Sequence, residues 1–282
     1  MSNLKAQIKS KVQRAKGKLL DIGSLVIDLT FRFGQLKFTG YDAMEQNIEI
    51  SVVVPVYNEE GNLPVLIPKL VGVLEGLGGS CEMIFVDDGS TDGSLRILRD
   101  MASQHPSLHV LRFRENRGLS AALVAGMREA RGEKIVTLDS DLQNDPADIP
   151  KLLGYLDRYD MATGWRQKRE DSWLKKISSK IGNAVRNRVS GEKIRDSACT
   201  LRAFKKECIK EIAVFNGMHR FLSTLVKMEG YRIIEVPVSH HPRRFGESKY
   251  NIRNRMVRTF IDLLAVRWMK RRTIRYDIEE RV

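Results

Sequence analysis

Glu133-Lys134-Ile135-Val136-Thr137-Leu138-Asp139-Ser140-Asp141-Leu142-Gln143-Asn144-Asp145-Pro146 runs from an apolar core into a cluster of acids. Its short apolar, β-branched run has the character of a buried strand. The run stops abruptly at two carboxylates spaced i, i+2, with the amide of Gln143 two residues further on. At a strand end such a cluster can point past the sheet, and hard oxygen ligands so arranged suit Mg2+ or Mn2+. A divalent ion at a sheet edge most often meets a phosphate. The plainer reading is a solvated acidic turn capping the helix that Pro146 begins, and a lone D-x-D does not choose between the two.

The strands upstream weigh on that choice. Ile48-Glu49-Ile50-Ser51-Val52-Val53-Val54-Pro55 ends in the polar loop Val56-Tyr57-Asn58-Glu59-Glu60-Gly61-Asn62 before a helix over 63–77. A second strand, Cys81 to Val86, stops at Asp87-Asp88-Gly89-Ser90-Thr91-Asp92, where Ser90 or Thr91 can cap a helix over 94–105. A third, Leu108 to Phe113, ends at Arg114-Glu115-Asn116-Arg117-Gly118 before a small-residue helix over 119–130. Strand–helix alternation of this kind predicts a parallel sheet, and its polar strand ends gather along one rim, where open α/β sheets bind ligands. No G-x-G-x-x-G follows the first strand and no G-x-x-x-x-G-K-[ST] occurs. The rim carries acids instead, which favours a diphosphate held through a metal.

Downstream the pattern is less regular. Tyr159 to Gly164 reads as a strand ending in Trp165-Arg166, and a basic amphipathic run follows over 167–193. After Asp196-Ser197-Ala198-Cys199-Thr200-Leu201-Arg202-Ala203-Phe204 a helix is expected to about Val214, another from His219, then a strand from Tyr231 to Val238. Residues 1–47 form a basic amphipathic helical segment, and 251–282 a second amphipathic helix with a basic tail, Lys270-Arg271-Arg272. Either could lie on anionic lipid. The repeat from Val12 to Val26 also permits a helix-mediated homo-oligomer.

The 282 residues are enough for one large α/β domain with appendages. A net charge of +13 calls for an anionic partner. Nucleic acid is disfavoured, because aromatics make up only 7% and are not interleaved with the basic residues. Cys81, Cys199 and Cys208 lack C-x-x-C spacing, which points to free thiols in a reducing cytoplasm. The two most apolar segments, 22–31 and 256–269, fall short of the roughly 20 residues a membrane span needs. A protein bound peripherally to the inner face of the cytoplasmic membrane is expected.

Pro55-Val56-Tyr57-Asn58-Glu59-Glu60, Val86-Asp87-Asp88-Gly89-Ser90-Thr91-Asp92 and Asp139-Ser140-Asp141-Leu142-Gln143 resemble the successive rim motifs of family 2 glycosyltransferases. Gly164-Trp165-Arg166, the segment from Asp196 to Arg202, and Arg244-Phe245-Gly246-Glu247-Ser248-Lys249-Tyr250 are similar to the branch containing dolichyl-phosphate mannose synthases and bacterial polyprenyl-phosphate glycosyltransferases. The resemblance covers about residues 48–250. It implies an α/β fold of the GT-A type, Rossmann-like with a mostly parallel sheet, and inverting transfer of a sugar from a UDP- or GDP-linked donor.

By that resemblance Pro55, Tyr57, Glu59 and Val86 would surround the nucleotide, and Asp88 would take a hydrogen bond from the base edge. Ser140 would lie beside the ribose. Asp139, Asp141 and Gln143 would hold the metal, and Arg202, with Lys206, would grip the diphosphate or sugar. Arg166, Lys175 and Ser179 would receive the lipid phosphate. Lys175 stands where Arg is expected in the archaeal synthases, and the two is not an equivalent exchange for bidentate phosphate binding. The two-helix membrane anchor of many bacterial relatives is missing from the sequence.

In this family a carboxylate base usually lies near the region corresponding to Gly217-Met218-His219-Arg220-Phe221, where this chain has none. A phosphate monoester is already anionic at neutral pH and needs positioning more than deprotonation. A polyprenyl phosphate is therefore the expected acceptor. Transfer to a hydroxyl of lipopolysaccharide or another envelope glycan, with His219 as base, is the alternative. A non-catalytic protein that binds anionic surfaces is a third.

Overall fold

The computed structural model describes residues 47–166, 194–196, 199–243, 245, 252–274 and 280, excepting the side chains of 252–258. The expected N-terminal helix, the basic run over 167–193 with Lys175 and Ser179, and the loop over 246–250 lie outside the described residues. Residues 47–282 form one compact unit, and the description that follows is of that unit.

A seven-stranded sheet runs in the order β3-β2-β1-β4-β6-β5-β7. Its members are β1 (Ile50–Val56), β2 (Cys81–Asp87), β3 (Leu108–Arg112), β4 (Lys134–Thr137), β5 (Met161–Arg166), β6 (Arg202–Lys205) and β7 (Ile233–Val238). All pairings are parallel except those of β6, which runs antiparallel to both β4 and β5. The helices are α1 (Leu63–Leu77), α2 (Ser94–Gln104), α3 (Leu119–Glu129), α4 (Ile149–Leu153), α5 (Leu222–Met228) and α6 (Ile252–Arg272).

The two-residue period of β1 divides the core. Val52, Val54 and Val56 pack with Leu63, Leu66, Ile67 and Leu70 of α1 on one face of the sheet. Val53 points the other way, toward Leu123 and Met127 of α3, Leu222 and Leu225 of α5, and Leu263 and Val266 of α6. Both faces of β1 are covered, which is why it reads as an unbroken apolar run. Among the described residues no helix is long and apolar enough to cross a membrane.

Two local expectations fail. Residues 202–205 form strand β6, followed by a short 3-10 turn over Lys206–Ile209 in place of a helix to Val214. Burial decides this: Arg202, Ala203 and Phe204 all lie inside the sheet between β4 and β5, where ladder hydrogen bonds satisfy their backbone. Neither Ser90 nor Thr91 caps α2, because both bind the β1 loop. Ser90 Oγ accepts the Asn58 amide at 2.9 Å, and Thr91 N donates to Asn58 Oδ1 at 2.7 Å. Asn58 has φ +52, a left-handed conformation that Asn adopts more readily than most residues.

Candidate active site

The strand order reverses beside β1, whose neighbours are β2 and β4, and the acids collect at the carboxyl ends of β1 and β4. Asp139 and Asp141 follow Thr137, the last residue of β4. Ser140 Oγ donates to Pro55 O at 2.9 Å, tying the β4 rim to the β1 rim. Leu142 is buried with φ +60, so the chain turns back sharply and Gln143 N donates to Asp141 Oδ1 at 3.1 Å. A left-handed leucine costs about 1–2 kcal/mol, and it sits where the two acids must be aimed. Gln143 O in turn accepts His241 N at 2.8 Å, and Arg243 Nη2 reaches Asp141 Oδ2 at 2.7 Å.

Antiparallel β6 places Arg202 opposite Thr137, at the same rim. Its side chain is 1% exposed, and Nη1 donates to His219 O at 3.0 Å. Burial lowers the pKa of this guanidinium, while Cys199, Asp139 and Asp196 act against that shift; an arginine stays charged even so. Burial also pushes the Asp139 carboxyl up to about 6, and the Asp141 charge adds to it, against the Thr200 hydrogen bond and the charges of Arg202 and Arg243. Thr200 anchors this corner, since its carbonyl accepts Thr137 Oγ1 at 2.7 Å and its hydroxyl accepts Asn144 Nδ2 at 3.1 Å. Two crowded carboxylates and an amide oxygen are a donor set that fits a hard divalent cation. Asp139, Asp141 and Gln143 are the residues that would hold it.

The second rim motif has a supporting part. Asp88 accepts Arg117 N at 2.6 Å on one carboxylate oxygen and Gly118 N at 2.8 Å on the other, which fixes the loop before α3. Burial raises its pKa, with the Asp87 charge adding and the two amides opposing. Any contact to a nucleotide base would use the lone pairs that remain. Tyr57 is half-buried just past β1, and Glu59 accepts Asn62 Nδ2 at 2.5 Å.

Three expected site residues are engaged within the fold itself. Lys206 follows Lys205, which pairs with Lys134 at the opposite end of β4 from Asp139, and Lys206 N donates to Glu133 O at 2.8 Å. The antiparallel course of β6 carries it away from the rim. Val86 is fully buried in the cluster beneath α3, so its side chain belongs to the core. Arg166 directs its fork to Asp196, with Nε at 2.7 Å and Nη2 at 2.9 Å, so a lipid phosphate would meet a guanidinium that is already paired. Asp196, Thr200 and Arg243 were not singled out by residue pattern. The first two lie in the Asp196–Arg202 motif, and Arg243 stands directly before the Arg244–Tyr250 motif.

A family model described as Glycosyl transferase family 2 matches residues 51–213. Dodecaprenyl-phosphate galacturonate synthase of Rhizobium johnstonii is 38% identical over 232 residues, covering 80% of this chain and 68% of that protein. Glucosyl-3-phosphoglycerate synthase from Mycobacterium tuberculosis, solved with Mg2+ and UDP, superposes with a TM-score of 0.60 at 21% identity, covering 78% of this chain and 79% of that one. A mannosyltransferase from Pyrobaculum calidifontis, solved with GDP-mannose and Mn2+, gives 0.50 at 24% identity, covering 70% and 58%. The fold is GT-A. With its sheet, its rim motifs and its sequence kinship in agreement, the chain is a glycosyltransferase and belongs to glycosyl transferase family 2.

Proposed function

We propose that this enzyme transfers one sugar from a nucleotide sugar to a polyprenyl phosphate, with inversion, at the cytoplasmic face of a membrane. The observation that carries the reading is the buried Arg202 guanidinium brought beside the Asp139–Asp141 pair at the end of β4. Such a site is organised for a leaving diphosphate. A divalent cation held by Asp139, Asp141 and Gln143 would neutralise charge on that diphosphate as it departs. Arg202 would add a fixed positive charge at the same rim, pre-oriented by its bond to His219 O. The bond from the anomeric carbon to the diphosphate oxygen breaks while a lipid phosphate oxygen bonds to that carbon from the other face. The acceptor oxygen is already anionic, so no protein base has to remove a proton.

The phosphate acceptor is supported by the 38% identity to a dodecaprenyl-phosphate galacturonate synthase. Membrane association is supported by α6, on which Phe260, Ile261, Leu264 and Trp268 are exposed, with Lys270, Arg271 and Arg272 at its end. Apolar side chains beside a basic cluster match an anionic bilayer surface. His219 belongs to the alternative, transfer to a glycan hydroxyl. Its Nδ1 lies 2.7 Å from Ser120 Oγ, on the turn that contacts Arg202.

The test is a panel of nucleotide sugars, a UDP-hexuronate among them, incubated with the enzyme and native membranes. Labelled sugar extracted with lipid and released by mild acid is the expected product. Acid-stable label in glycan would favour the alternative.

A further inference from the structure

We infer that Asp262 and Arg220 form a positioning pair through which the surface helix α6 holds the catalytic Arg202 in place. The inference rests on the transferase reading above and adds residues to its machinery. Arg202 Nη1 donates to the carbonyl of His219, within the 3-10 turn Met218–Arg220, so the turn sets where the guanidinium sits.

Three attachments set the turn itself. Met218 and Phe221 are buried in the core beneath it. Ser120 of α3 accepts Gly217 N at 2.9 Å and meets His219 Nδ1 at 2.7 Å. From the outer side, Arg220 Nη1 reaches Asp262 Oδ2 at 3.3 Å and Thr259 Oγ1 at 3.1 Å, both on α6. The carboxylate also packs against the backbone of the turn: a Cβ on Gly217 would lie 2.5 Å from Asp262 Oδ2, and Gly217 has φ +102. The left-handed backbone favours glycine there, and a Cβ would also push the carboxylate aside.

The ion pair is only partly buried, at 22% and 20% side-chain exposure, so it adds little to global stability. Its leverage is geometric. The path from Asp262 to Arg220, to the His219 carbonyl, to Arg202 is short and consists of direct contacts. A displacement of about 1 Å at a group that must meet developing charge can cost on the order of a hundredfold in rate. The same helix buries Leu263 and Val266 and turns Ile261 and Leu264 outward, so Asp262 lies between its anchored and its exposed faces.

The experiment compares wild type, Asp262→Asn and Asp262→Glu in full-length protein on phosphatidylglycerol vesicles carrying polyprenyl phosphate. The readouts are kcat, donor KM and thermal midpoint. Asp262→Asn should lower kcat about tenfold or more, leave donor KM within about twofold, and shift the midpoint by no more than a few degrees. Asp262→Glu should recover most of the loss. An unchanged kcat in Asp262→Asn overturns the inference. So does a loss that follows a large fall in midpoint and is not recovered by glutamate, since that is the signature of a structural pair. Wild-type protein that moves no sugar to the lipid overturns the transfer reading itself, and the inference with it.

Discussion

Arg243 Nη2 lies 2.7 Å from Asp141 Oδ2, an ion pair between residues 102 positions apart that closes over the second acid of the rim. The two side chains are 30% and 10% exposed. Arg243 and a divalent cation at the proposed site would therefore compete for one carboxylate. A partly exposed pair of this kind is worth about 1 kcal/mol, or about fivefold in affinity. Arg243→Ala should tighten Mn2+ binding in the absence of nucleotide by about that factor, as measured by calorimetry.

The Arg166–Asp196 pair predicts a larger effect on stability. Its side chains are 15% and 5% exposed, and Arg166 N also donates to Asp196 Oδ2 at 3.2 Å. Asp196→Ala would remove the bidentate partner of a largely buried guanidinium, at a cost of about 3 kcal/mol. Chemical denaturation should report that loss, together with a matching fall in thermal midpoint.

Glu82 gives a pH dependence far from the active site. Burial pushes its carboxyl up, but hydrogen bonds from Ser51 Oγ and from the Arg131 amide and guanidinium outweigh burial and hold it below the ordinary value of 4.5. A depressed folded-state pKa contributes stability that is complete above the unfolded value and fades as pH falls through the folded one. Glu82→Gln should therefore be less stable than wild type by about 1–2 kcal/mol at neutral pH. The gap should narrow as the pH is lowered below about 4.5, as followed by urea unfolding at each pH.

Gly126 lies in α3 where the helix touches the sheet. A Cβ there would collide with Val53 Cγ1 and sit 3.1 Å from Val86 Cγ2. Helix propensity alone would make Gly126→Ala stabilising by about 1 kcal/mol. Overpacking a rigid valine core costs about 1–3 kcal/mol and prevails. The variant should unfold at lower denaturant than wild type.

The first half of the fold was legible in the sequence for a clear reason. Each of β1 to β4 is an apolar run stopped by a polar rim loop, so its existence and the placing of Asp139 and Asp141 at a strand end follow from local pattern. Strand β6 was not legible, because four residues with a cation at each end carry no strand period. Lys206 is expected beside Arg202 from the family resemblance, and the extended course of β6 separates the two along the sheet. The partners of Arg166 and Asp141 lie 30 and 102 residues away, and no local spacing encodes such pairs.

The exposed face of α6 makes its own prediction. Leu264 is 47% and Trp268 63% exposed. Replacing both with Glu removes apolar area and adds charge of the same sign as the lipid. Sedimentation with phosphatidylglycerol vesicles should show binding weakened by at least about tenfold, with the thermal midpoint unchanged.

The most direct measurement is transfer in a defined system of purified enzyme, one accepted nucleotide sugar, polyprenyl phosphate and Mn2+. Wild type should form a lipid product carrying one acid-labile sugar, chelation should abolish it, and Asp141→Ala should reduce it by at least about a thousandfold. Undiminished transfer by Asp141→Ala, or by chelated wild type, would contradict metal-dependent transfer.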